Sequence, residues 1–95
     1  MDNQVCVGLC EGRHPLPVDE YVFGQVIDNP MDFAGLEAHA RQRLEALGGD
    51  KLVIYATGLT AALLAVIKVA KAMGYVKITV MHFDRDTGGY MAQAV

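Results

Sequence analysis

Residues 51–74, KLVIYATGLTAALLAVIKVAKAMG, constrain the fold more than any other stretch of the chain. Lys51–Ala56 is a short run of large apolar residues, Thr57–Thr60 is small and polar, and Thr60–Met73 is almost wholly apolar up to Gly74. That order predicts strand, tight turn and helix, with the glycine as the helix stop. The first turn of such a helix has backbone N–H groups without intrahelical partners. With the positive end of the helix dipole, they make an anion site beyond the strand. The unit therefore predicts a binder of phosphate-bearing ligands. Thr57 or Thr60 would give a hydroxyl to a phosphate oxygen, and Gly58 and Leu59 would complete the turn. The same residues equally suit a plain helix cap with no ligand.

Ninety-five residues are enough for one α/β domain spanning 1–95. Hydrophobic residues make up 53% of the chain and charged residues 20%, more apolar material than so short a chain can bury alone. Between Ala61 and Met73 only Lys68 and Lys71 are polar. We therefore expect the helix 60–73 to be covered on most sides, by the sheet and by a second copy in a homodimer. A net charge of −3 and a pI near 5.4 argue against a broad grip on duplex nucleic acid. The N-terminal MDNQ does not read as a secretion signal. Leu52–Ile67, interrupted by Thr-Gly-Leu-Thr, falls short of the about 20 residues a membrane span needs. Cys6 and Cys10 share a strand face roughly 13 Å apart, too far for a disulfide. The expectation is a cytoplasmic chain with reduced, buried cysteines and no membrane association.

Gln4–Cys10 reads as the first strand and Glu11–Pro17 as a turn. Tyr21–Ile27 is a weaker strand, broken by Gly24 and suited to an edge. In Asp28-Asn29-Pro30, Asn29 reads as a helix cap and Pro30 as the first helical residue, with Asp32 near the positive end. Phe33, Leu36, Ala40, Leu44 and Leu47 then form an apolar stripe closed by Gly48-Gly49. Val76–Asp84 is a strand, Arg85–Gly89 a hairpin connection, and Tyr90–Val95 its returning strand. The whole reads as a compact α/β fold: a mixed, mostly parallel sheet, two helices and a C-terminal β-hairpin.

Ligands bind beyond the carboxyl ends of the strands in such sheets. Cys10–His14, Thr57–Thr60 and Phe83–Thr87 are predicted to converge there. The Thr57–Thr60 turn matches neither a phosphate-binding G-x-x-x-x-G-K-[ST] loop nor a G-x-G-x-x-G turn, so triphosphate hydrolysis is not indicated. Arg13 could pair with a phosphate and His14 move a proton, or both could sit on a solvated turn. His82 could serve as an acid or base oriented by Asp84, or as a hydrogen-bonded strand histidine. His39 falls on the polar side of its helix and reads as exposed. In Asp84-Arg85-Asp86 the aspartates suit local turn hydrogen bonds, and Arg85 suits either an ion pair or a phosphate clamp. No His, Cys or Asp spacing matches a metal site, and no cofactor is implied.

From Tyr55 to Tyr90, YATGLTAALLAVIKVAKAMGYVKITVMHFDRDTGGY resembles the back half of the CRISPR-associated Rossmann-fold group. GRHPLP followed by VIDNPMDF is similar to the small, single-domain ring-nuclease-like members and to short phage proteins. The resemblance implies a Rossmann-like homodimer, without metal, that binds a cyclic oligoadenylate across its two-fold axis. Thr57, Gly58, Leu59 and Thr60 would form the phosphate turn, and Gly12, Arg13 and His14 the loop after the first strand. Ring cleavage, where it occurs, would proceed by attack of a ribose 2′-hydroxyl on its neighbouring phosphate.

Two functional expectations follow. One is a binder of a cyclic or oligomeric adenine nucleotide that cleaves or sequesters it. Here Thr57, Gly58, Leu59, Thr60, Gly12 and Arg85 would hold the ligand, and Arg13, His14 and His82 would assist chemistry. The other is a small phage-type protein that inhibits a host defence component by surface contact.

Overall fold

The computed structural model describes residues 3–11, 16–24, 27, 29–57 and 59–95. In chain order the elements are β1 (Gln4–Cys10), β2 (Tyr21–Phe23), α1 (Phe33–Leu47), β3 (Lys51–Tyr55), α2 (Thr60–Ala72), β4 (Lys77–Asp84) and β5 (Gly89–Ala94). They form one five-stranded sheet in the order β2-β1-β3-β4-β5. The first four strands are parallel and β5 returns antiparallel to β4, so the fold is the mixed, mostly parallel α/β arrangement expected.

Strand order decides where the helices go. The connections β2–α1–β3 and β3–α2–β4 both advance in one direction across the sheet. Right-handed crossovers then put both helices on the same face, where α1 and α2 pack together. Alternation along the strands supplies the matching apolar surface. Val7 and Leu9 of β1, Leu52 and Ile54 of β3, and Ile78 and Val80 of β4 are buried beneath the helices. Leu36, Ala40 and Leu44 of α1 meet them, together with Ala62, Ala65, Val66, Val69 and Ala70 of α2. Each fully buried aliphatic side chain contributes about 1.5–3 kcal/mol. The opposite face, which includes Cys6, Val53, Tyr55, Thr79, Met81 and Phe83, carries no helix.

The connection from β1 to β2 runs the other way and brings Leu16 and Tyr21 over Gly8. A Cβ at Gly8 would lie 2.6 Å from the Tyr21 ring and 2.8 Å from Leu16 Cδ1, so only glycine admits this approach. β2 is shorter than expected and stops before Gly24. Its pairing with β1 makes it an edge strand, as the glycine suggested.

The start of α1 corrects the sequence reading. Asn29 Oδ1 accepts from Met31 N at 3.0 Å and Asn29 O from Asp32 N at 3.1 Å, which closes a separate turn. The helix cap is Asp32, whose Oδ1 accepts from Gly35 N at 3.1 Å. Phe33 thereby falls in the first turn and is exposed rather than part of the buried stripe. His39 is also more than an exposed polar residue. Its Nε2 lies 2.8 Å from Val22 O, and its ring stacks on Phe23 at 5.1 Å. Arg43 Nε donates to Tyr21 O at 3.1 Å, so α1 ties down β2 through two side chains.

α2 ends as predicted. Gly74, at φ 88°, takes the left-handed conformation while Tyr75 N donates to Ala70 O and Gly74 N to Lys71 O. Those two bonds are the Schellman pattern. Tyr75 Oη then donates to Gly48 O at 3.2 Å, and burial pushes its phenol pKa up. Most of α2 is buried or half-buried within the chain, and Leu64, 60% exposed, lies on its open stripe in line with Lys68. The cysteine expectation needs a correction. Cys10 is buried but Cys6 is exposed, and no disulfide joins them.

Candidate functional site

A cavity of about 650 Å³ opens at the carboxyl ends of β3 and β4, within the usual range for small-molecule sites. One wall is Ala56 and Thr57 after β3, with Leu59, Thr60 and Leu63 at the start of α2. The other is His82 and Phe83 of β4, Arg85 of the hairpin and Tyr90 of β5, and Leu16 closes one side. Its position follows from the topology, because loops after adjacent parallel strands meet at that end of the sheet.

The turn into α2 bears on one of its two sequence readings, the plain cap. The N-cap residue is Leu59, in extended conformation, and no side chain caps the helix. Thr57 does not do so: its Oγ1 is buried without a hydrogen-bond partner. Thr60 is the first helical residue and is exposed. Leu63 N→Leu59 O, at 3.0 Å, is the first intrahelical bond, so the N–H groups of Thr60, Ala61 and Ala62 precede it. The plain cap is not made. A buried hydroxyl without a partner costs about 1–3 kcal/mol.

The hairpin supplies the cation. Asp84 Oδ1 accepts from Asp86 N at 3.1 Å and Oδ2 from Thr87 Oγ1 at 3.2 Å, while Gly88 N donates to Asp84 O at 2.8 Å. The turn chemistry expected of these residues is therefore present. Arg85 projects from this rigid turn into the cavity lining and makes no ion pair among the described residues. Of its two sequence readings, the structural ion pair is the one not made.

His82 is held by a different partner from the one expected. Asp84 is occupied in the turn, and His82 Nε2 lies 2.8 Å from Gln93 Oε1, a pairing in which the imidazole N–H donates. The cause is the hairpin register: Val80 faces Gln93 and His82 faces Met91, which sets the glutamine diagonally across from the histidine. Counting back from the Arg85–Gly89 turn would have found Gln93. Phe83 lies in one of the segments expected to meet there, whereas Leu16 and Leu63 carried no sequence signal.

The structure thus brings Thr57, Leu59, Thr60, His82 and Arg85 to one cavity. Gly12, Arg13, His14 and Gly58 lie outside the described residues, as does Asp28. Glu11 goes elsewhere, its N–H extending the pairing with β2 by donating to Phe23 O at 3.2 Å. Among the described residues, no three His, Cys, Asp or Glu side chains gather closely enough to hold a metal ion. No helix among them is long and apolar enough to cross a membrane. No family model, curated protein or solved structure matches the chain.

Proposed function

We propose that this protein binds a phosphate-bearing small molecule at the α2 N-terminus, in the form of a cyclic or oligomeric adenine nucleotide. The observation that carries the reading is the set of polar groups that border the cavity. An uncapped helix N-terminus, a buried Thr57 hydroxyl without a partner and Arg85, which has no ion pair among the described residues, all border the same space. Each of these groups lacks a partner that an anion would supply. The adenine nucleotide comes from the sequence resemblance, and with it the choice between cleavage and sequestration. In the cleaving form a ribose 2′-hydroxyl attacks the adjacent phosphorus and the 5′-oxygen leaves. His82, oriented by Gln93, is the described cavity side chain suited to moving that proton.

The test is a titration with inorganic phosphate, AMP and cyclic di-, tri-, tetra- and hexa-adenylates, following thermal shift and chromatographic turnover with EDTA present. A shift with product supports a metal-independent ring nuclease, and a shift without product supports a receptor or sponge. Arg85→Gln is expected to weaken binding at least about tenfold, the scale of one charge-assisted hydrogen bond. No shift by any of these near 1 mM, where about 4 kcal/mol of binding would register, refutes the reading.

One surface favours a second reading, a protein-contact module. Lys68 Nζ lies 3.2 Å from Glu37 Oε1, which sets α1 and α2 side by side. One turn earlier on each helix stand Phe33 and Leu64, with Met31 just before α1, and all three are exposed. A homodimer through α2, or inhibition of another protein by surface contact, would use this patch. If it is a dimer seam, Leu64→Glu is expected to turn a dimer into a monomer by light scattering. A wild type that is already monomeric excludes the homodimer.

A further inference from the structure

The cavity lining draws on two different parts of the fold. Thr57 and Thr60 stand at the start of α2, whereas Phe83 and Tyr90 come from β4 and β5. They approach it from different sides of the sheet. Phe83 and Tyr90 are register partners across β4 and β5 and lie on the helix-free face, while His82 lies on the helix-bearing face. A ligand held by its anionic group at α2 therefore continues over the end of the sheet onto two aromatic rings.

Those rings are differently placed. Tyr90 stands between two neighbours, nearly perpendicular to Tyr55 at 4.9 Å and at 66° to Phe83 at 5.7 Å between centroids. Two edge-to-face contacts hold it in position. Phe83 is the outer ring. It is backed by Tyr90 but 56% exposed at the cavity, so it offers aromatic surface on a supported side chain. We infer that Phe83 is the stacking platform for the nucleobase of the bound ligand, and that it sets preference for a nucleotide over a base-free sugar phosphate. This rests on the phosphate site proposed above. A phosphate at one end and a planar ring at the other is the chemistry of a nucleoside phosphate, and an aromatic wall recognises the π-face that every base has.

Three probes separate the two contacts: AMP, ribose 5-phosphate and inorganic phosphate, titrated against the wild type, Phe83→Ala and Phe83→Trp. Base–aromatic stacking predicts that the wild type binds AMP about 5- to 150-fold more tightly than ribose 5-phosphate. In Phe83→Ala that ratio is expected to fall to about 1 with ribose 5-phosphate affinity unchanged, and in Phe83→Trp to return. Since Phe83 is exposed, circular dichroism and the melting temperature should confirm that both variants fold. A wild-type ratio near 1, or one insensitive to Phe83→Ala, overturns the stacking role while leaving the phosphate site standing. Failure of all three probes to bind overturns the stacking role, and if the cyclic adenylates give no shift either, the phosphate site falls with it.

Discussion

Thr57→Val is expected to stabilise the free protein and to weaken its hold on a phosphate ligand. Valine keeps the branched shape of threonine and removes only a hydroxyl that is buried with no partner. Leaving such a group unsatisfied costs about 1–3 kcal/mol, so its deletion should raise the urea midpoint by a corresponding amount at unchanged slope. The ligand sees the opposite effect. A hydrogen bond from that hydroxyl to a charged phosphate oxygen is worth about 1.5–3 kcal/mol, so affinity should fall roughly tenfold to a hundredfold. A residue with a purely structural task does not give these opposite signs. Lower stability with unchanged binding would show that the hydroxyl serves the fold, and the turn would leave the site.

Ile54→Ala is expected to produce the largest loss of stability. Ile54 is completely buried on β3, the central strand, beneath both helices. Truncating an aliphatic side chain in such a place costs about 2–5 kcal/mol, because the packed surroundings cannot close the space. A domain of this size has only about 5–15 kcal/mol in total. At about 4–8 °C per kcal/mol, the melting temperature should drop by about 10 °C or more. Val53→Ala is the control, on the same strand but on the helix-free face and half-buried. It should cost well under half as much. Equal losses at the two positions would mean that the helix-free face is covered in solution, which bears on the homodimer.

Local chemistry made much of this fold readable in the sequence. The β3–α2–β4 unit was legible because a strand-length apolar run, a polar turn and Gly74 fall in order. The hairpin was legible from Asp84, Thr87 and the paired glycines. The start of α1 was not, since Asn29 and Asp32 both have capping side chains and only the backbone path decides which one caps. The exposure of Leu64 was hidden for another reason. It depends on both crossovers falling on one face, a consequence of strand order that no local pattern records. At the cavity, Thr57, Thr60 and Arg85 lie in segments that sequence placed at the strand ends. Sequence could not say which threonine is buried, because that depends on the angle at which α2 leaves β3. Nor could it say that Arg85 makes no ion pair with the aspartates on either side, which depends on Asp84 being committed to the turn.

The two edges of the sheet are secured unequally. β2 is only three residues long, yet His39 and Arg43 fasten it to α1. β5 is twice as long and pairs along its length with β4, but no residue of it belongs to the buried core. Segments with few buried contacts open locally at far lower free energy than the whole molecule unfolds. β5 also carries Gln93, which holds His82, and Tyr90, which backs Phe83. Fraying of this one strand would dismantle a wall of the cavity while Ile54 and Val66 stay packed. The lifetime of the assembled site is then governed by the weakest-held strand and not by the stability of the fold.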